Sequence, residues 1–169
     1  KNNLLIIEDS AEAIGAKYKK RLIGLDGNCS CFSFFANKTI TTGEGGMVVF
    51  KDAKTANQAR VLRDHGMSKE KSYWHEYAGF NFRMTNMQAA LGVAQMGRIK
   101  ELLKIRKKIF ENYDQEIKNI KNLTLLPNNN WSQNSYWLYT LVINNIFEKK
   151  RDDLLKTLGN QGINCKPAF

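Results

Sequence analysis

"SFFANKTITTGEGG", residues 33–46, sets one lysine, Lys38, between an apolar aromatic run and a glycine-rich turn. Lysines normally keep their ammonium in water. One held beside apolar surface is desolvated, which favours the neutral amine, and a neutral amine can attack a carbonyl. The competing reading is an exposed lysine in a lysine-rich chain, and local context leaves both open. Ser33 offers a hydroxyl that could bind a phosphate or satisfy a backbone group in the core. "GEGG" matches neither G-x-G-x-x-G nor a P-loop, so it carries no nucleotide fingerprint.

Upstream, "LLIIED" (4–9) is a continuous apolar run ending in acids, the pattern of a strand buried on both faces of a parallel sheet. Asp9 ends it. Ligands gather beyond the carboxyl ends of such strands. Asp9-x-x-Glu12 also has capping-box spacing for a short helix over "SAEAIGAKY" (10–18), so cap and site both stand. "CSCFSFF" (29–35) and "GMVVF" (46–50) predict two further strands, with Gly43, Gly45 and Gly46 free to take positive φ between them. "DAKTANQARVLRDHG" (52–66) predicts a helix stopped by Gly66. A long aromatic-rich loop (67–81) follows, a length often reserved for function. Thr85 or Asn86 caps a helical stretch running to residue 120, long enough to bend at Gly92 or Gly97. Beyond it, "LTLLP", an Asn-rich turn, "YWLYTLVI" and "KRDDLLKTLGNQG" predict strand, strand, helix. The boundary falls near residue 120: residues 1–120 form part of a large domain, and 121–169 begin a smaller α/β domain.

An apolar content of 43% suits a packed core. No run approaches the roughly 20 apolar residues of a membrane span. The net charge of +10 is spread along the chain. Its densest run, "RIKELLKIRKKIF" (98–110), is followed by acids and reads as the solvated face of a helix rather than a nucleic-acid patch. Cys29, Cys31 and Cys165 lack metal-finger spacing and read as buried free thiols of a reducing, cytoplasmic compartment. His65 and His75 argue no metal.

Together, a strand-end acid, Ser-x-x-x-x-Lys and a glycine-rich hairpin form what pyridoxal 5′-phosphate needs: an acid for the pyridine nitrogen, a hydroxyl for the phosphate, a lysine for attachment. The blocks "IIEDSAEAIGAKY", "FSFFANKTITTGEGGMVV", "LRDHGM", "YWHEYAGFNFRMTNMQAALGVAQM" and "GINCKPAF" resemble the DegT/DnrJ/EryC1/StrS family of sugar aminotransferases. The resemblance implies a fold type I pyridoxal-phosphate aminotransferase, with a mixed, mostly parallel sheet flanked by helices. It implies that Lys38 is the Schiff-base lysine, Asp9 the partner of the pyridine nitrogen and Ser33 a phosphate ligand. Glu12 falls where the family often has Gln or His near the ring hydroxyl. Asn81 matches an asparagine that reaches the cofactor phosphate of a neighbouring subunit, which implies a homodimer with shared sites. The family's closing "RPxF" is "KPAF" here, with Lys166 in place of Arg.

Two further parts of the family pattern, an N-terminal phosphate loop with a ring-stacking aromatic and the end of the small domain, lie outside these residues. The sequence therefore reads as the middle of a longer chain. The implied activity is transfer of an amino group from glutamate to C4 of a 4-keto-6-deoxy nucleotide sugar, with a GDP-linked sugar ahead of UDP- or dTDP-linked ones. A dehydratase of the same fold would carry His at Lys38. A basic nucleic-acid-binding or regulatory module is the more distant alternative, and the intact Asp9, Ser33 and Lys38 set argues against it.

Overall fold

The computed structural model describes residues 2–144 and 151–168. Its principal sheet has the order β1–β4–β5, built from β1 (Ile7–Asp9), β4 (Cys29–Ser33) and β5 (Gly46–Phe50). β1 and β4 run parallel, with Ile7 opposite Cys29 and Asp9 opposite Cys31. β5 returns antiparallel, with Ser33 opposite Gly46. The sheet is therefore mixed, and the carboxyl ends of β1 and β4 lie on one edge.

Two strands foreseen as buried differ in exposure. β4 is half-buried to buried, as its central place requires. β1 is not, and the strand is shorter than expected: Ile7 is 70% exposed and Leu4 and Leu5 before it are 77% and 82% exposed, because among the described residues β1 pairs on one side only. The helix expected over residues 10–18 is absent. Residues 11–15 form turns instead, leading into a small sheet of β2 (Lys17–Tyr18), β3 (Arg21–Leu22) and β7 (Ser132–Gln133). Gly15 explains the difference. Its φ is +85°, and a Cβ there would lie 2.6 Å from Leu103 Cδ1, so the chain turns back under another helix instead of coiling. Gly43 and Gly45 take positive φ, whereas Gly46 is an ordinary strand residue.

α1 (Ala53–Arg63) is capped by Asp52, whose carboxylate accepts from Thr55 N at 2.7 Å. The expected stop follows, with His65 and Gly66 both in the left-handed region. The long helical stretch is two helices, α2 (Asn86–Gly97) and α3 (Ile99–Ile117), broken at Arg98 beside Gly97. Thr85 and Gln88 form a reciprocal capping box at the start of α2. Of "YWLYTLVI", only β8 (Val142–Ile143) is a strand, paired with β6 (Leu123–Thr124). Tyr136 interrupts the rest with φ +55°, and the aromatics that follow serve another purpose, described below. α4 (Arg151–Asn160) matches the last helix expected, with Lys150 outside the described residues. The three cysteines are free but only partly buried. No described helix is long and apolar enough to cross a membrane.

Candidate active site

Lys38 stands on a loop closed on itself. Phe34 N donates to Gly45 O at 2.9 Å, Thr42 N donates to Phe34 O at 2.9 Å, and Thr41 Oγ1 donates to the same carbonyl at 3.0 Å. Phe34 and Ile40 point inward and are buried, so the loop packs around its own apolar side chains. Gln95 of α2 clamps it from outside. Its Oε1 accepts from Thr41 N at 3.1 Å and its Nε2 donates to Thr41 O at 2.7 Å. A lysine on this scaffold has little freedom of backbone, and its side chain is only 11% exposed. The desolvated placement suspected at Lys38 is what the fold provides.

Its ammonium has two close neighbours. Glu12 Oε1 lies 3.0 Å from Nζ, and the ring centroid of Trp137 lies 3.9 Å away. Trp137 is itself fixed, because its Nε1 donates to Asn37 O at 2.9 Å. Arg106 of α3 donates from one guanidinium nitrogen to Trp137 O at 2.9 Å and from another to Lys38 O at 3.4 Å. Burial lowers the Arg106 pKa from its ordinary value. The "RIKELLKIRKKIF" run is thus solvated in the main, but Arg106 turns inward. Its type gave no sign of this; only its place on the inner stripe of α3, four residues before buried Phe110, could have hinted at it.

Asp9 and Ser33 complete the strand-end edge. Asp9 caps no helix: its Oδ1 accepts from Ala11 N at 3.1 Å, an Asx turn. Glu12 is likewise no capping partner, since its carboxylate goes to Lys38. Cys31 faces Asp9 across the β1–β4 ladder, and burial, then the neighbouring Cys29 and Asp9, push its thiol pKa up. Ser33 Oγ accepts from Phe35 N at 3.3 Å, which leaves its O–H free to donate.

Asn81 is held elsewhere. Its backbone bridges Asp64 beyond α1, in a segment closed by His65 N to Phe80 O at 2.9 Å and Phe82 N to Arg63 O at 2.9 Å. Phe82, Arg83 and Met84 from this segment line a cavity of about 310 Å³ with Glu44, Gly45 and Gly46. Lys166 is exposed. The structure thus joins Lys38 to Glu12 directly, sets Asp9 and Ser33 on the same sheet edge, and leaves Asn81 outside that contact set. Glu8 was read only as an acid at a strand end. Its carboxylate accepts from Gly24 N at 2.9 Å, Asp26 N at 2.7 Å and Gly27 N, and so ties down the loop leading into β4. The Gly27 bond is the largest cause of its lowered pKa, partly offset by burial.

The sequence matches the DegT/DnrJ/EryC1/StrS aminotransferase family over residues 1–169. It is 41% identical to GDP-perosamine synthase of Caulobacter vibrioides over 170 residues, covering 100% of this chain and 46% of that protein. The aminotransferase TlmJ from Streptoalloteichus hindustanus superposes with a TM-score of 0.89 at 28% identity, covering 98% of this chain and 45% of TlmJ. The PLP form of Spr1654 from Streptococcus pneumoniae gives 0.86 at 28% identity over 95% of this chain and 42% of that one. The chain thus spans somewhat less than half the length of the proteins it matches. A family match over the whole sequence, carried by a chain whose fold superposes on solved aminotransferases, places this chain in the DegT/DnrJ/EryC1/StrS aminotransferase family.

Proposed function

We propose that the protein transfers an amino group from glutamate to C4 of a GDP-linked 4-keto-6-deoxy sugar, using pyridoxal 5′-phosphate. The observation that carries the reading is Lys38: a nearly enclosed amine on a rigid loop, at the sheet edge where Asp9 and Ser33 end their strands.

The residues fit the cofactor. Asp9 uses Oδ1 for its own turn, and Oδ2 remains to meet a protonated ring nitrogen. Ser33 keeps a donor for a phosphate oxygen. Glu12, 3.0 Å from Nζ, would lie beside the attachment point and is the residue assigned to the ring hydroxyl. When bound, the cofactor supplies an electron sink for the carbon that gains or loses the amino nitrogen. Lys38 would hold it through Nζ, and the same nitrogen would carry the proton to and from that carbon. Asp9 would be the group that holds the ring nitrogen.

The dimer belongs to the same reading. The Asn81 segment has an ordered backbone yet displays Tyr73, Trp74, Tyr77 and Phe82 to solvent, which suits a surface covered by a second copy. A cytoplasmic location and a domain division near residue 120, just after α3 ends at Ile117, complete it.

The test uses the full-length protein with pyridoxal 5′-phosphate and glutamate. GDP-4-keto-6-deoxymannose should give a higher kcat/KM than UDP- or dTDP-linked 4-keto sugars. A clear preference for a UDP-linked sugar would overturn the substrate, and no amination of any of them would overturn the activity.

A further inference from the structure

We infer that Trp137 is a positioning residue for Lys38, its indole face being the floor on which Nζ rests, with Arg106 holding the floor in place. The inference rests on the reading of Lys38 as the attachment amine, but the contacts that carry it are independent of that reading.

A lysine side chain has four rotatable bonds and, unrestrained, samples many rotamers. Here Nζ has two restraints of different kinds. The Glu12 carboxylate at 3.0 Å is directional and uses an N–H. The indole face at 3.9 Å attracts the cation through its quadrupole and uses no N–H at all. The ring can therefore fix where the nitrogen lies while leaving it free to change bonding partners.

The ring is held well enough to act as a reference surface. Trp137 Nε1 bonds Asn37 O, and Arg106 bonds both Trp137 O and Lys38 O, closing a cycle through the two segments. The flanking aromatics fasten the same segment to α3. Tyr136 and Tyr139 both pack edge-on against buried Phe110, with centroids 5.2 and 5.1 Å apart, and Tyr139 OH donates to Asp114 at 2.6 Å. Burial and that bond push the Tyr139 pKa up, so the hydroxyl stays a donor.

Attachment requires Nζ first to pass one proton to the Glu12 carboxylate at 3.0 Å and then, as the neutral amine, to bond the aldehyde carbon while its two remaining protons leave with the carbonyl oxygen as water. A nitrogen already held at one point meets that carbon more often than a wandering one.

The experiment follows attachment, not turnover. Full-length wild type, W137F, W137L, W137M and K38A are mixed with pyridoxal 5′-phosphate and quenched with borohydride at intervals. The label at Lys38 is counted by mass spectrometry, and melting temperatures are recorded. All three Trp137 variants lose the bond to Asn37 O, so their differences isolate the ring face. W137F should label within about threefold of wild type, and W137L and W137M about tenfold more slowly than W137F. Equal rates for the three, with K38A blank, would overturn the inference and leave the Lys38 reading standing. A K38A protein labelled at another lysine as fast as wild type would sink that reading instead. Loss of folding in both non-aromatic variants would also count against the inference, by assigning Trp137 to the core.

Discussion

Two loops of this protein are ordered by opposite means. The Lys38 loop, residues 34–46, closes over buried side chains and is fastened by Glu12, Gln95, Arg106 and Trp137 of the same chain. The Asn81 loop, residues 67–84, is closed mainly by backbone bonds at its neck, with His75 Nδ1 on His65 O at 2.7 Å and an Arg83–Asp64 ion pair at 3.1 Å beside them. A Cβ on Gly66 would land on Tyr77 O, so the two strands of its neck approach as only glycine permits. Its side chains face outward, with Tyr73 92% and Phe82 72% exposed. An ordered backbone under exposed aromatics is costly in isolation, since it leaves apolar surface in water without the freedom of a disordered loop. The first loop is packed against its own chain; the second presents its aromatics to solvent.

The sharpest way to break that contrast is Lys38→Ala in the full-length protein. It removes both the attachment amine and the proton carrier, so transamination should fall by several orders of magnitude. A variant with near-normal turnover, measured by amino-sugar formation, would mean that the enclosed amine has another purpose.

Asp9→Asn is the next largest. Because Asp9 makes an Asx turn and caps no helix, Asn can keep the bond to Ala11 N, and the melting temperature should not move. Turnover should drop by roughly 10²–10³, because a neutral amide does not hold a ring nitrogen protonated. Full activity together with an unchanged melting temperature would reduce Asp9 to a turn residue.

The second loop is tested by mixing. Asn81→Ala should weaken pyridoxal 5′-phosphate binding about tenfold, the loss of one charge-assisted hydrogen bond. If Asn81 serves a neighbour, subunits carrying Lys38→Ala and Asn81→Ala, refolded together and assayed at limiting pyridoxal 5′-phosphate, should give more activity than the two parents together, because one site of each mixed dimer is intact. Activity no greater than the sum of the parents would place Asn81 in its own subunit's site or in none.

The smallest effect concerns the loop before β4. Glu8→Gln should cost about 1 kcal/mol, since one amide oxygen cannot replace a carboxylate that accepts three N–H groups and water still reaches part of it. The folded-state pKa of Glu8 lies below its ordinary 4.5. Its contribution is therefore fully present above pH 4.5 and lost as pH falls through the lower folded value. Denaturant midpoints should show the wild type losing stability in that acid window and the variant losing less. Parallel curves would remove Glu8 from the account.

What the sequence determined by itself is local or motif-bound. The glycine turn, the cap at Thr85, and the order of Asp9, Ser33 and Lys38 can be read because each depends on neighbours a few residues away, or on a long block whose residue types admit few alternatives. The false helix over residues 10–18 shows the limit. Asp9-x-x-Glu12 satisfies a capping pattern, but a turn at Gly15 beneath Leu103 and an ion pair to Lys38, 26 residues away, override it. Arg106 and Trp137 lay beyond reach for the same reason. An arginine in a basic helix and a tryptophan in an aromatic run look like surface and core, and only folding brings them 68 and 100 residues back to the Lys38 loop. Burial of β1 was decided in the same way, because an apolar run specifies a demand for cover, while the number of strands and helices that meet the demand is a property of the packed molecule.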